Sequence, residues 1–207
     1  MRLHAGVKRG LLVAFEGLDG SGKSTQLSRQ ASRLRAAGLD VVATREPTQG
    51  EHGRRIREMA AAGERAAPEA ELALFLADRR EHVAGLIAPA LARGALVLTD
   101  RYFLSTVAYQ GARGLDPERL LAQSEAEFPL PDLALLFELE PRLCLERVHA
   151  RGGKPEPAFE RLDRLEQVEA VFRALARPYL VRLDASGSID EVGARVDAAL
   201  AERLALG

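Results

Sequence analysis

The sequence predicts an α/β fold, a five-stranded parallel sheet with helices on both faces. Three observations predict it. Five short apolar runs, leucine-rich or β-branched, alternate with longer amphipathic stretches. The spacing between successive runs suits a helical crossover, as parallel pairing requires. A glycine-rich segment follows the first run, at the strand end where such sheets bind ligands.

Residues 11–15 (LLVAF) form the first strand. Leu27, Ala31 and Leu34 recur at i, i+4 and i+7, the stripe of a first helix that Gly38 stops. The run 41–44 is the second strand, and a helix follows near 53–62. Pro68 suits the first turn of a long helix. Leu72, Phe75, Leu76, Val83, Leu86 and Leu91 form its apolar stripe, and Gly94 ends it. Residues 95–99 (ALVLT) are the third strand. A helix near 117–127 leads to the fourth strand at 133–139, and another helix follows near 141–151. The stretch 151–158, RGGKPEPA, then interrupts a helical pattern with glycine and proline. It reads as a mobile lid, about 151–161, and not as a domain linker. A helix near 162–176, a strand at 179–183 and a helix near 189–204 complete the pattern.

With 207 residues, 47% of them hydrophobic, the chain can bury one core, so residues 1–207 are read as one domain. The net charge of −1 leaves no electrostatic footprint for nucleic acid or an anionic membrane. Any anionic ligand must be bound locally. Cys144 is the single cysteine, which excludes a disulfide framework and suits a reducing cytoplasm. The basic first ten residues precede only five apolar ones, too few for a signal segment, and no run is long enough to span a membrane.

Gly17, Leu18, Asp19, Gly20, Ser21, Gly22, Lys23 and Ser24 match the phosphate-binding pattern G-x-x-x-x-G-K-[ST]. At this composition a chance match is on the order of one in a thousand. An ordinary glycine-rich turn is the competing reading, and the strand before and helix after weigh against it. Glycines let successive backbone N–H groups turn toward phosphate oxygens, and the helix N-terminus adds its positive dipole. The chain has 26 arginines and only three lysines, Lys8, Lys23 and Lys154. A lysine at 23 fits a site that needs a compact point charge where a planar guanidinium is too bulky. Ser24 offers a hydroxyl to Mg²⁺, and residues 17–25, through Thr25, are expected to hold a nucleoside triphosphate.

Asp100 ends an apolar strand, as a Mg²⁺-organising carboxylate does, although many strands end in Asp. Arg101 follows at once, with an Asp–Arg ion pair as the alternative to a ligand-binding role. Strand two ends in Thr44-Arg45-Glu46-Pro47. Phe75 and Arg79 stand at i, i+4 on one helix face; taken alone, a core Phe with an exposed Arg is the commoner arrangement.

Together these segments resemble the thymidylate kinase family of P-loop nucleoside monophosphate kinases. They are EGLDGSGKST (16–25), TREP (44–47), GRRIR (53–57), LFLADRREH (74–82) and DRYFLSTVAYQG (100–111). The resemblance implies a P-loop three-layer α/β/α sandwich, ATP and Mg²⁺ as cofactors, dTMP as acceptor, and a cytoplasmic homodimer. It implies that Phe75 stacks on thymine and that Arg79 bonds its exocyclic oxygen. Thr106 and Gln110 would address the base edge, and Tyr109 would pack under the sugar where a 2′-OH clashes. Arg45, Arg57 and Arg101 would surround the acceptor phosphate, with Asp19, Glu46 and Pro47 beside sugar and phosphate. Where the family usually has Gly-Gly-Thr after TREP, this chain has Thr48-Gln49-Gly50. Phe103-Leu104 replaces a frequently polar pair, and Pro157 and Phe159 stand where some relatives place a carboxylate and a tyrosine.

A GTPase would read guanine with an Asn-Lys-x-Asp segment, and the chain contains no Asn. The remaining alternative is a P-loop kinase of another nucleoside monophosphate or of a deoxynucleoside. A deoxynucleoside needs a base for its 5′-OH, whereas a monophosphate needs cationic clamps, and arginines at the strand ends favour the monophosphate. In the family a transition-state Arg comes from the glycine loop or from the lid. Positions 18–22 hold no cation, so the lid is expected to supply it. Of Arg147, Arg151, Lys154, Arg161 and Arg164, the expectation falls on Arg151 and Arg161 acting with Lys23, Asp19 and Arg101.

Overall fold

The computed structural model describes residues 9–62, 66–150, 152 and 158–205. It contains one sheet of β1 (Leu11–Gly17), β2 (Val41–Arg45), β3 (Leu96–Asp100), β4 (Leu133–Glu138) and β5 (Leu180–Asp184). All neighbours are parallel, in the order β2-β3-β1-β4-β5. The three inner strands are buried almost throughout, whereas the edge strands β2 and β5 are partly exposed. That explains why 11–15, 95–99 and 133–139 read as continuous apolar runs. Phe15 and Phe137 stack at 5.8 Å across the β1–β4 pair. Burial of side chains this size stabilises the sheet by about 1.5–3 kcal/mol each.

Helices α1 (Lys23–Ala36) and α9 (Ile189–Ala205) pack together along the sheet. A second group comprises α2 (Glu51–Ala62), α3 (Pro68–His82), α4 (Ala88–Ala92), α5 (Phe103–Gly111), α6 (Pro117–Glu127), α7 (Pro141–Ala150) and α8 (Ala158–Ala174). Within it α5 contacts α3, α6, α8 and β1. The expected α/β/α sandwich is borne out.

Besides α8, which begins at Ala158 and so takes in residues 158–161 that were expected in the lid, two elements differ from the sequence pattern. The helix expected from Pro68 to Gly94 is divided by a π turn, Val83–Ile87, where the Ala88 N–H bonds to the Val83 carbonyl. Pro89 explains the division: it donates no hydrogen bond, and its ring presses on the carbonyl four residues back, so the helix widens just before it. The other is α5, which no periodicity announced. Residues 102–108 are all buried, so the helix shows no polar face and no 3.6-residue alternation. No helix among the described residues is long and apolar enough to cross a membrane.

Candidate active site

The glycine loop spans the gap between β1, at the centre of the sheet, and α1. Gly17, Gly20 and Gly22 have φ of 133°, 91° and 96°. A Cβ on Gly20 would lie 2.2 Å from the Cys144 carbonyl oxygen of α7, so only glycine fits where the loop presses on that helix. Among the described residues no side chain caps α1, which leaves its first-turn N–H groups open toward the loop. The Lys23 ammonium donates back to the Leu18 carbonyl at 2.7 Å and is 4% exposed. Burial, then Arg101, lowers its pKa to about 8 against the pull of Asp19, Asp100 and Glu16. Ser24 donates to Asp100, which β3 brings alongside β1. This hydroxyl–carboxylate pair suits Mg²⁺, which is commonly held by one carboxylate and a few protein oxygens plus substrate phosphates.

Arg101 adopts φ +71°, the one described non-glycine residue with positive φ. Such a conformation persists only where the surroundings hold it. Its N–H bonds to the Phe15 carbonyl at 2.9 Å and its carbonyl accepts from Thr99 Oγ1 at 2.8 Å. The guanidinium turns back over the Tyr109 ring, 4.9 Å from its centre. It donates to Asp19 at 2.7 Å, Ser105 at 2.8 Å and the Tyr109 hydroxyl at 3.2 Å. The arginine is thus ion-paired, with Asp19 of the glycine loop as its direct partner.

Glu16 is a functional candidate that sequence reasoning left without a role. It is fully buried, accepts from the Tyr102 N–H at 3.0 Å and from Ser105, and so braces the turn that carries Arg101. Burial pushes its pKa up to about 7, against the Ser105 hydrogen bond and the charges of Arg101 and Arg79. The visible signal was a lone carboxylate ending the apolar run LLVAF. A folded pKa near 7 means the native protein keeps a proton that the unfolded chain releases near 4.5. This contribution is therefore full below about 4.5 and is lost as the pH rises through about 7, a change of roughly 3 kcal/mol. Denaturant unfolding of Glu16→Gln should show a flatter pH dependence across that window. An unchanged slope would show that Glu16 is not the group responsible.

A second cluster of polar side chains stands on α3, which carries Glu71, Phe75, Asp78, Arg79 and His82. Arg79 is 1% exposed while Phe75 is half-exposed, the reverse of the commoner arrangement for such a pair. Arg79 Nε and Nη2 donate to one Glu46 oxygen at 2.9 and 2.6 Å, and Nη2 also to Thr106 at 2.8 Å. Its guanidinium lies against the Tyr102 and Phe128 rings, at 5.3 and 5.4 Å. The other Glu46 oxygen meets His82 Nδ1 at 3.0 Å, and His82 Nε2 meets Thr44 at 2.7 Å. The turn after Pro47 is held by Asp78, which accepts from the Thr48 N–H at 2.9 Å and from its hydroxyl. Arg57 donates to the Pro47 carbonyl at 3.0 Å, the Thr48 carbonyl and Gln49 Oε1 at 3.0 Å. It therefore spans the loop it was expected to share with a phosphate. Arg45 is exposed at the end of β2, beside Asp100 in register, and its side chain makes no hydrogen bond or ion pair among the described residues. Arg79 Nη1 and Gln110 Oε1 are buried and have no hydrogen-bond partner among the described residues.

Lys23, Ser24, Asp100, Asp19, Arg101 and Tyr109 are thus brought together on one side. Glu46, Arg79 and Thr106 meet on the other, with Gln110 one turn along α5 from Thr106. Arg151 and Lys154 lie outside the described residues, as does the side chain of Arg161, whose backbone belongs to α8.

A glycine loop at the centre of a parallel sheet, followed by Lys-Ser on a helix and faced by a strand-end carboxylate, places the chain in the P-loop NTPase class. Comparison with known sequences narrows the class. The thymidylate kinase profile matches residues 15–196. A thymidylate kinase of Akkermansia muciniphila is 47% identical over 198 residues, 96% of this chain and 95% of its own. One from Xanthomonas campestris pv. campestris is 50% identical over 202 residues, covering 96% and 88%. One from Desulfotalea psychrophila is 46% identical over 183 residues, covering 88% and 90%. The chain belongs to the thymidylate kinase family, enzymes that phosphorylate dTMP.

Proposed function

We propose that the protein transfers the γ-phosphoryl group of ATP, bound with Mg²⁺, to dTMP, giving dTDP and ADP. The observation that best supports this acceptor is the pair of buried, unpartnered atoms, the donor Arg79 Nη1 and the acceptor Gln110 Oε1. Thymine offers the complement, an O4 acceptor beside an N3–H donor. Phe75, half-exposed on the same face of α3, supplies an aromatic surface for the base.

On this reading the 17–25 loop wraps the ATP phosphates, with Lys23 on the β- and γ-phosphates. Ser24 and Asp100 would hold Mg²⁺, which when bound neutralises charge across the β- and γ-oxygens. Arg45, Arg57 and Arg101 clamp the acceptor phosphate, with Asp19, Glu46 and Pro47 beside it and Tyr109 under the sugar. An oxygen of the dTMP phosphate forms the new bond to the γ-phosphorus as the bond to the ADP oxygen breaks. The acceptor is already anionic, so no base need ionise it, and catalysis rests on positioning and charge stabilisation. Arg151 and Arg161 are proposed as the lid cations, because positions 18–22 contain none. One kinase domain, a homodimer and a cytoplasmic location are part of the same proposal, supported by the family resemblance. Kinases of another nucleoside monophosphate or a deoxynucleoside are the alternatives.

A coupled assay of ATP consumption across acceptors tests the assignment. dTMP should be preferred and dUMP should remain measurable, since one methyl group in a pocket is worth only about 1 kcal/mol or slightly more. UMP, AMP and dGMP should be poor. Equal efficiency with dTMP and a purine monophosphate would overturn the acceptor.

A further inference from the structure

We infer that Glu71 fixes which end of the Gln110 amide meets the acceptor base, and so sets the preference for a thymine or uracil edge over a cytosine edge. The inference rests on the reading of this cleft as the acceptor-base site. Glu71, Phe75 and Arg79 follow one another at i, i+4 and i+8 on α3, so they form one stripe. Thr106 and Gln110 form the corresponding stripe on α5, and the two helices are in contact. Two cross-links join the stripes. Arg79 donates to Thr106 at 2.8 Å, and one turn further along α5 and two turns back along α3 Gln110 Nε2 donates to Glu71 at 2.9 Å. Phe75 lies between them on α3.

The second link has a direction. An ionised carboxylate only accepts hydrogen bonds, so the amide must turn its NH₂ toward Glu71 and its oxygen away. Arg113 pairs with the same Glu71 oxygen and holds the carboxylate in place. Gln110 is 1% exposed, and its Oε1 is left buried without a partner among the described residues. A ligand N–H satisfies it; a ligand lone pair is repelled. Arg79 Nη1, also buried and unpartnered, can only donate. Thymine and uracil present O4 and N3–H, which match a donor and an acceptor. Cytosine presents N4–H₂ and an N3 lone pair, which match neither. Arg79 cannot reverse its polarity, but a glutamine amide can by rotating half a turn. Glu71 removes that freedom without touching the base, which makes it a positioning residue.

The test is Glu71→Gln in the full-length protein, with dTMP and dCMP compared under saturating ATP. The neutral amide both donates and accepts, so Gln110 is released to present either end. The kcat/KM ratio of dTMP to dCMP should narrow by about tenfold or more, the scale of a lost polar discrimination. The change should lie mainly in the KM for the nucleotide, with the KM for ATP unmoved. Arg113→Gln breaks the ion pair yet leaves an acceptor-only carboxylate, so its ratio should stay within about twofold of the parent. A folded Glu71→Gln that slows both nucleotides alike, with the ratio intact, overturns the inference and leaves the acceptor assignment standing. A parent protein inactive on dTMP removes both. A further measurement needs no variant. The Gln110 side-chain NH₂, followed by nitrogen-15 NMR, should be protected from solvent exchange both before and after dTMP binds. Fast exchange in the free protein would also overturn the inference.

Discussion

Lys23→Ala is expected to lower kcat by about 10²-fold or more, the scale seen when one preorganised electrostatic stabiliser is removed. The ammonium is held inside the glycine loop, and its one hydrogen bond among the described residues is to the Leu18 carbonyl of that loop. It is a charge held at the cost of its own hydration, which is why its pKa falls to about 8. Incoming phosphates oppose the desolvation and raise that pKa again. The ATP kcat/KM, which reports the free enzyme, should therefore fall as pH rises through about 8. The kcat limb, which reports the complex, should lie at higher pH. Lys23→Arg should also be poor, because a planar fork does not fit beside the Leu18 carbonyl. Near-normal turnover by a folded Lys23→Ala would end the proposed role.

Arg79→Ala should destabilise the protein by about 3–5 kcal/mol, because it leaves a buried carboxylate without its main partner. Desolvation pushes the Glu46 pKa up, but the charges and hydrogen bonds of Arg79 and His82 outweigh it, and the net shift is downward. A depressed folded pKa means Glu46 adds stability that is full above its unfolded value and is lost as pH falls through the folded one. Removing Arg79 takes away the main source of that depression. In thermal unfolding near neutral pH the melting temperature should drop by about 10 °C. Arg79→Met combined with Glu46→Gln should recover much of it, since a neutral pair has no stranded charge. A drop of less than about 3 °C in Arg79→Ala would show that Glu46 does not depend on Arg79. In whatever fraction stays folded, the KM for dTMP should rise while that for ATP changes little.

The sheet was legible because its three inner strands are buried on both faces and read as unbroken apolar runs. The glycine loop was legible because its conformation demands glycines at set intervals, so backbone geometry is written in residue identity. Asp100 and Arg101 were legible by position, at the end of such a run. The helix α5 was not legible, because periodicity records a boundary between core and water, and residues 102–108 meet core on every side. The exchanged environments of Phe75 and Arg79 were not legible for a related reason. The spacing placed them on one helix face, but which becomes buried depends on what stands opposite. Glu46 and Thr106 reach Arg79 from elements 33 and 27 residues away in sequence. Glu16 and Glu71 passed without a role because each acts through a group it holds, Arg101 through Ser105 and the turn, and the Gln110 amide.

What this sequence determined by itself was the order of the strands and of the amphipathic helices, the phosphate loop, and the residues carried at the strand ends. All of these are local, set by periodicity, propensity and the conformational freedom of glycine. What only the tertiary structure decided was which polar groups are satisfied inside the protein and which, among the described residues, are left without a partner. Ser24 is matched with Asp100, Arg101 with Asp19, and Arg57 with loop carbonyls, while Arg79 Nη1 and Gln110 Oε1 remain unmatched. Hydrogen bonding is short-ranged and directional, so that division depends on tenths of an ångström between elements far apart in the chain, a scale on which sequence spacing carries no information.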